Sequence, residues 1–222
     1  MYKELGVDDP VIGDWAENPD DLPYALKTHR QYISWVGNTD AVRLARMAFY
    51  AQCTYIDHQM RLLIGTLREE GLLDDTIVII TSDHGYEFDD NGIGHYGHAS
   101  NFSAVQLRAT LMMHWPDKSA GAIDYRTTHH DLPVTLLQDV FGCENPPSDY
   151  SVGRNLFSGE SWNWMMAGSY TSHAIVEPGR VIVSHPGGFV EVMGSDYRPA
   201  QDKTLNAQLI QDSLEAQRRF LR

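Results

Sequence analysis

Two side chains stand where chemistry is easiest to build. Asp83 and His84 end the run Thr76-Ile-Val-Ile-Ile-Thr-Ser-Asp-His-Gly85. A carboxylate and an imidazole side by side, before a glycine that lets the backbone turn sharply, make half of a hard-to-borderline metal site. The same residues, Ser82 to Gly85, also suit a plain turn after a strand, so alone they leave both readings open. Further on, His95 and His98 each follow a glycine, Gly94 and Gly97, within a stretch from Tyr86 to Ser103 rich in Gly, Asp and Asn. Glycine freedom there allows both rings to approach one point. Of the chain's 10 histidines, six lie between His84 and His130. Such clusters mark metal or acid–base sites, and a loop this long in a compact domain is functional or disordered. A surface histidine loop without a role is the competing reading. His129 and His130 stay open between ligand, substrate contact and packing.

A strand must carry the first pair. Ile77, Val78, Ile79 and Ile80 in unbroken succession predict a strand buried on both faces, as in a parallel sheet. In open α/β sheets the working groups lie beyond the carboxyl ends of such strands. Before it, from the capping residues Asn38-Thr39-Asp40 to Gly71, the residues Val42, Ala45, Phe49, Cys53, Ile56, Met60, Leu63 and Leu67 recur at helical spacing. They predict one long helix, about 45 Å at 1.5 Å per residue. Its stripe reads as core, each larger apolar side chain giving about 1.5–3 kcal/mol on full burial. Cys53 counts there as a small core residue. A second strand, Ala109 to Trp115, stops at Pro116, and a helix follows over Leu132 to Phe141 with Gly142 as its stop. Thr128 or Asp131 can cap that helix, Pro133 fits its first turn, and Leu132, Leu136, Leu137, Val140 and Phe141 form the expected buried face.

From Ser161 the pattern changes. Trp162 to Met166, Tyr170 to Val176, Arg180 to Ser184 and Gly188 to Met193 read as short strands, with turns at Pro178-Gly179 and Pro186-Gly-Gly188. They predict an antiparallel meander and then a polar helix from about Leu205 to Phe220. Trp162 and Trp164 are spaced to share a sheet face, as core or as a lipid-contact patch, with core preferred. His173 and His185 read as ordinary strand residues.

Composition narrows the function. At 222 residues and 42% apolar the chain can bury a sizeable core, as one domain or one and a half. Its formal charge of −13 excludes a nucleic-acid partner, since phosphates would be repelled, and an anionic substrate needs a local positive centre such as a metal. No apolar run reaches the length of a membrane span and Met1-Tyr-Lys-Glu-Leu is no signal peptide, so the piece as given is expected to be soluble. Cys53 and Cys143 are too few and too far apart for a zinc knuckle. Residues 1–23, acidic and interrupted by proline, read as a surface segment.

Taken together, several motifs carry a family resemblance. Tyr55-Ile-Asp57, Gly71 through Gly85, Tyr96-Gly-His98, Arg108 before an apolar strand, His129-His-Asp131 before Thr135-Leu-Leu, and Gly153-Arg-Asn-Leu156 fall in an order that resembles the C-terminal half of sulfatase-type hydrolases of the alkaline phosphatase superfamily. Asn101-Phe-Ser103, Gln106-Leu, Trp115-Pro and His129-His-Asp-Leu132 are most similar to the periplasmic domain of the membrane-anchored YejM (PbgA) family. The resemblance implies an α/β fold, the C-terminal part of a sulfatase-like α/β sandwich over residues 1–157, with a small antiparallel sheet and terminal helix over residues 158–222.

It also implies that Asp83 and His84 bind a divalent metal (Mg, Mn or Zn), that His98 contacts the sulfate or phosphate, and that His95 and Asn101 are lesser substrate contacts. In active relatives the nucleophile and further acidic ligands come from the N-terminal half, so this chain is expected to lack a catalytic nucleophile for that reaction and to bind metal weakly. Two functions follow. One is a metal-dependent hydrolase or transferase of phosphoesters or sulfoesters, in a parent protein at the periplasmic face of the inner membrane. The other is a non-catalytic module that binds anionic lipid or membrane-protein partners and regulates lipopolysaccharide or envelope lipid homeostasis. Pro133 sits one position earlier than in the usual sulfatase pattern, which implies only a changed helix start.

Overall fold

A computed structural model describes residues 39–219. The acidic segment expected over residues 1–23, and Asn38 of the expected helix cap, lie outside them. The chain is mixed α/β with small antiparallel sheets and a terminal helix, in two compact units. One runs up to Gly97 and takes in Ala109–Lys118; the other comprises His98–Arg108 and everything from Ser119 onward.

In the first unit, α1 (Thr39–Glu69) is a helix of 31 residues. It ends where Gly71 takes φ 70°, with Gly71 N–H donating to Arg68 O and Leu72 N–H to Leu67 O. This is the Schellman pattern, which only a residue tolerant of left-handed backbone closes cheaply. Of the apolar stripe only Ala45 is buried; the other buried side chains of the helix, Met47 and Ala51, also lie in its first half. Phe49 packs there on the rings of Tyr86 and Phe88, with centroids 5.6 and 5.5 Å away. Further along, Cys53 is exposed, as are Ile56 (55%) and Leu63 (48%). The expectation of a continuous core stripe, Cys53 included, is therefore corrected: helical periodicity marks a face, and a face is core only where something covers it.

The strands of this unit are β1 (Val78–Thr81), the hairpin strands β2 (Glu87–Phe88) and β3 (Tyr96–Gly97), and β4 (Leu111–His114). β1 pairs with β4, antiparallel, from Val78 opposite His114 to Thr81 opposite Leu111. The parallel, doubly buried strand expected from Ile77–Ile80 is not what forms. Val78 is buried, Ile79 and Ile80 are half-buried and Thr81 is exposed. The reason lies in the connection. Residues 82–110 leave and return at one end of β1, and the neck is tied by Ser82 N–H to Thr110 O (3.2 Å), Thr81 Oγ to Thr110 O (2.8 Å) and Thr110 N–H to Ser82 Oγ (3.0 Å). No crossover returns the chain to the start of β1, so the pairing is antiparallel.

The second unit contains the one-turn helix α2 (Ala104–Leu107), α3 (Asp131–Asp139), strands β5 (Met165–Gly168), β6 (His173–Glu177), β7 (Arg180–Ser184) and β8 (Val190–Gly194), and α4 (Ala207–Arg218). The four strands pair in sequence order, all antiparallel, as the turn signals predict. Alternation sorts their side chains. Ala174, Val181 and Val183 pack with Phe102 on one face, while Ile175, Ile182 and Val192 pack with Leu209 of α4 on the other. A run of three consecutive buried residues instead forms in β7, at Val181, Ile182 and Val183, inside an antiparallel sheet. α4 is capped by Asn206, whose Oδ1 accepts the N–H groups of Gln208 and Leu209 at 3.0 and 3.2 Å.

Around α3 several expectations change. The N-cap is His130, with no side-chain bond to the helix, and Asp131 instead accepts the Thr128 N–H at 2.6 Å. The buried side chains are Asp131, Val134 and Thr135, whereas Val140 and Phe141 are 46% and 74% exposed. What selects that face is the segment Gly153–Leu156, which lies along it. Arg154 N–H donates to Asp131 Oδ1 (2.8 Å), Leu156 N–H to Thr135 Oγ1 (2.7 Å), and Asn155 Nδ2 to Gln138 Oε1 (3.1 Å) and Asp139 Oδ1 (2.8 Å). Trp162 and Trp164 precede β5, so they do not share a sheet face by strand alternation. Trp164 packs on the Ile175–Leu209 cluster, while Trp162 donates its Nε1–H to Asp131.

Candidate functional site

The excursion between β1 and β4 carries Asp83, His84, His95, His98 and Asn101, whereas His129 and His130 follow β4. At its start, Asp83 and His84 project from the turn with side chains 86% and 41% exposed. Asp83 Oδ1 accepts the His84 N–H at 3.0 Å, and His84 Nδ1 lies 2.8 Å from Gly85 O. A proton on Nδ1 satisfies that carbonyl and leaves Nε2 unprotonated, 3.4 Å from Asp83 Oδ2. A backbone carbonyl holding the far nitrogen is the usual way a ligating imidazole is oriented. Two donors about 2.1 Å from one ion at a tetrahedral angle stand about 3.4 Å apart. The separation of the pair matches that of two adjacent coordination positions of a divalent ion. Among the described residues no group of three or more His, Cys, Asp or Glu side chains is placed to hold a metal.

Next along the excursion, the β2–β3 hairpin pairs Phe88 with Tyr96 and sets His95 just before the returning strand. Its tip is braced by acidic side chains: Asp89, at φ 58°, accepts Gly94 N–H at 2.6 Å, and Asp90 accepts Phe88 N–H at 2.8 Å. Arg46 of α1 reaches over to donate to Phe88 O (2.8 Å) and Asp90 (3.3 Å), with its guanidinium 5.7 Å from the Phe88 ring centre. Burial, then the neighbouring Asp89 carboxylate, pushes the Tyr96 phenol up from its ordinary pKa. His95 is half-buried in this unit, together with Asp83 and His84.

His98 and Asn101 belong to the second unit. His98 is half-buried, and the residue after it, Ala99, has φ 55°, an uncommon conformation for a side-chain-bearing residue and one that needs support. Support comes from Ser169, whose Oγ donates to Ala99 O at 3.1 Å. Asn101 is 4% exposed and its Oδ1 accepts the Ser103 N–H at 2.8 Å, so it shapes the turn into α2. His129 and His130 are exposed. Arg46 and Ser169 escape sequence reasoning because each acts on a residue far along the chain; the Arg in a helix facing a Gly/Asp loop is the only trace of the first, and the second leaves none.

Residues 16–142 match the sulfatase family, more than half of the chain. This chain belongs to the sulfatase family. Among its relatives, the inner membrane protein YejM of Salmonella typhimurium is 27% identical over 169 residues, covering 75% of this chain and 28% of YejM. An uncharacterized protein of Haemophilus influenzae is 33% identical over 116 residues, covering 52% of this chain and 20% of its own length. The chain thus spans under a third of the length of these relatives. The phosphonate monoester hydrolase SpPMH from Silicibacter pomeroyi shares the fold, with a TM-score of 0.62 at 20% identity over 82% of this chain and 42% of that one. No helix among the described residues of this sulfatase-family chain is long and apolar enough to cross a membrane.

Proposed function

We propose that this chain is part of a metal-dependent hydrolase or transferase that acts on phosphoesters or sulfoesters in the cell envelope. Asp83 and His84 supply two ligands of a divalent metal, His98 contacts the sulfate or phosphate, and His95 is a further substrate contact. The observation that supports this is the Asp83–His84 pair, with Oδ2 and Nε2 at 3.4 Å and Nδ1 on the Gly85 carbonyl. When bound there, Mg, Mn or Zn supplies Lewis acidity to the ester oxygen. His84 is kept in one tautomer by Gly85, Asp83 offsets the ion's charge, and His98, when protonated, stabilises negative charge on the transferring group. Asn101 contributes by fixing the turn after His98. The formal charge of −13 makes a local cationic centre necessary for an anionic substrate.

The YejM match over 75% of the chain favours a second reading, a sulfatase-like module without turnover that binds anionic lipid or a membrane-protein partner. One set of measurements separates the two. The parent protein containing this chain should hydrolyse aryl phosphate, phosphonate or sulfate esters, and His84→Ala should lower that rate by about 100-fold or more. Full activity in the variant sinks the metal role. Absence of turnover in the wild type, with binding to anionic vesicles that survives His84→Ala, favours the second reading. In calorimetry the 222-residue chain should bind Zn or Mn weakly; tight stoichiometric uptake contradicts a two-ligand site.

A further inference from the structure

One end of the four-stranded sheet carries a second group of reactive side chains. Pairing of Gly168 with His173, His173 with Ser184, and Ser184 with Val190 places the β5–β6 and β7–β8 turns side by side. Ser172, His185 and Glu191 meet there. Ser172 Oγ is 3.2 Å from His185 Nδ1, and His185 Nε2 is 2.9 Å from Glu191 Oε2. With Glu191 accepting the Nε2–H, the lone pair of Nδ1 faces the Ser172 hydroxyl, which donates to it. The Phe189 ring lies against the imidazole, centroids 5.7 Å apart and planes 29° from parallel, and restricts its rotation. His185 and Glu191 are 33% and 44% exposed, so a reagent can reach them. Alongside, a groove of about 270 Å³ is lined by Phe189, Glu191, Val192, Lys203 and Leu205. Phe189 and Glu191 border both features, whereas Ser172 and His185 do not line the groove.

Serine, imidazole and carboxylate in hydrogen-bonded series form an arrangement recognised by geometry rather than by sequence position. We propose that Ser172 is an activated nucleophile that accepts acyl groups from esters, with His185 as its base and Glu191 as the positioning residue that sets the imidazole tautomer. Ser172 Oγ bonds to the acyl carbon as its proton passes to His185 Nδ1. The bond from that carbon to the ester's alcohol oxygen breaks, and the alcohol leaves with the proton from Nδ1. Water then attacks the acyl-serine, its proton passing through the same nitrogen, and carboxylic acid and free Ser172 are released. The net reaction is ester plus water to acid plus alcohol, with Glu191 ionised throughout. It is independent of the metal site.

The test uses the 222-residue chain with p-nitrophenyl acetate and, separately, a fluorophosphonate probe followed by peptide mass mapping. The expected result is a burst of p-nitrophenol and one fluorophosphonate adduct, on Ser172. Ser172→Ala should abolish both, His185→Gln should slow labelling by about 100-fold, and Glu191→Gln by about 10-fold. Glu191→Asp should recover part of the Glu191→Gln loss, a rescue that a merely structural carboxylate does not produce in the rate. His173→Gln, on the opposite sheet face, should label like the wild type. No adduct on the wild-type chain, an adduct on another serine, or His185→Gln labelling at the wild-type rate overturns the proposal.

Discussion

In the sequence Asp131 stands behind two histidines that look the more reactive. In the fold His129 and His130 are exposed, while Asp131 is 3% exposed and accepts N–H groups from Thr128 (2.6 Å), Arg154 (2.8 Å) and the Trp162 indole (3.0 Å). The Arg154 guanidinium covers the Trp162 ring at 3.9 Å and closes the arrangement. A buried carboxylate is tolerable only with its lone pairs occupied, and here they are. Removing it strands three donors, each bond to a charged acceptor being worth about 1.5–3 kcal/mol. Asp131→Ala should therefore cost about 3–5 kcal/mol in urea denaturation and change the near-ultraviolet circular dichroism of Trp162. A loss below about 1 kcal/mol would show that the carboxylate is dispensable. This role separates the motif's structural member from its two candidate ligands, a distinction that the triplet His-His-Asp does not make.

Among elements, α3 shows how a segment distant in sequence decides which helix face is core. Gly153 approaches so closely that an added Cβ would lie 1.9 Å from His130 O and 2.8 Å from Asp131 N. Both are backbone atoms, and neither can swing aside. Gly153→Ala should cost about 3 kcal/mol, at the upper end of overpacking penalties, whereas Gly65→Ala in α1, with nothing within 4 Å, should gain about 1 kcal/mol from helix propensity. Thermal denaturation of the two variants checks the contrast, and equal shifts would refute the clamp. The Gly-Arg-Asn-Leu motif is thereby explained by packing, through Arg154, Asn155 and Leu156 on α3. α1 illustrates the converse. Its stripe is legible from spacing, but the hairpin bearing Phe88 covers only the first half.

On the scale of the whole molecule, the two units have unequal means of cohesion. Among the described residues, the second has four paired strands with buried clusters on both sheet faces, and the first has two two-stranded pairs and a small cluster around Ala45 and Phe88. A two-stranded pair is marginal without further cover. Amides of Ile175, Ile182 and Val183 should consequently exchange with solvent at least about 100-fold more slowly than those of Ile79 and Met113. Hydrogen exchange read by NMR measures this directly, and equal protection would contradict it. The consequence for the candidate site is that Asp83 and His84 sit at the end of the less strongly held sheet, whereas His98 and Asn101 are anchored in the unit with the larger core.

What the sequence by itself determined is local. The helical run of α1 and its end at Gly71, the Gly142 stop, the four strands of the meander, the Asp83–His84 end of β1 and the family order of motifs all follow from periodicity, β-branched runs, capping and turn residues within a few positions of one another. Tertiary structure decided everything that needs a distant partner. It set the antiparallel pairing of β1 with β4, the half of α1 that is covered, the burial of Asp131, the hold of Ser169 on Ala99, and the meeting of Ser172, His185 and Glu191 across two turns. The physical reason is that a residue's own pattern states which face or bond it can offer, and only the folded chain supplies what meets it.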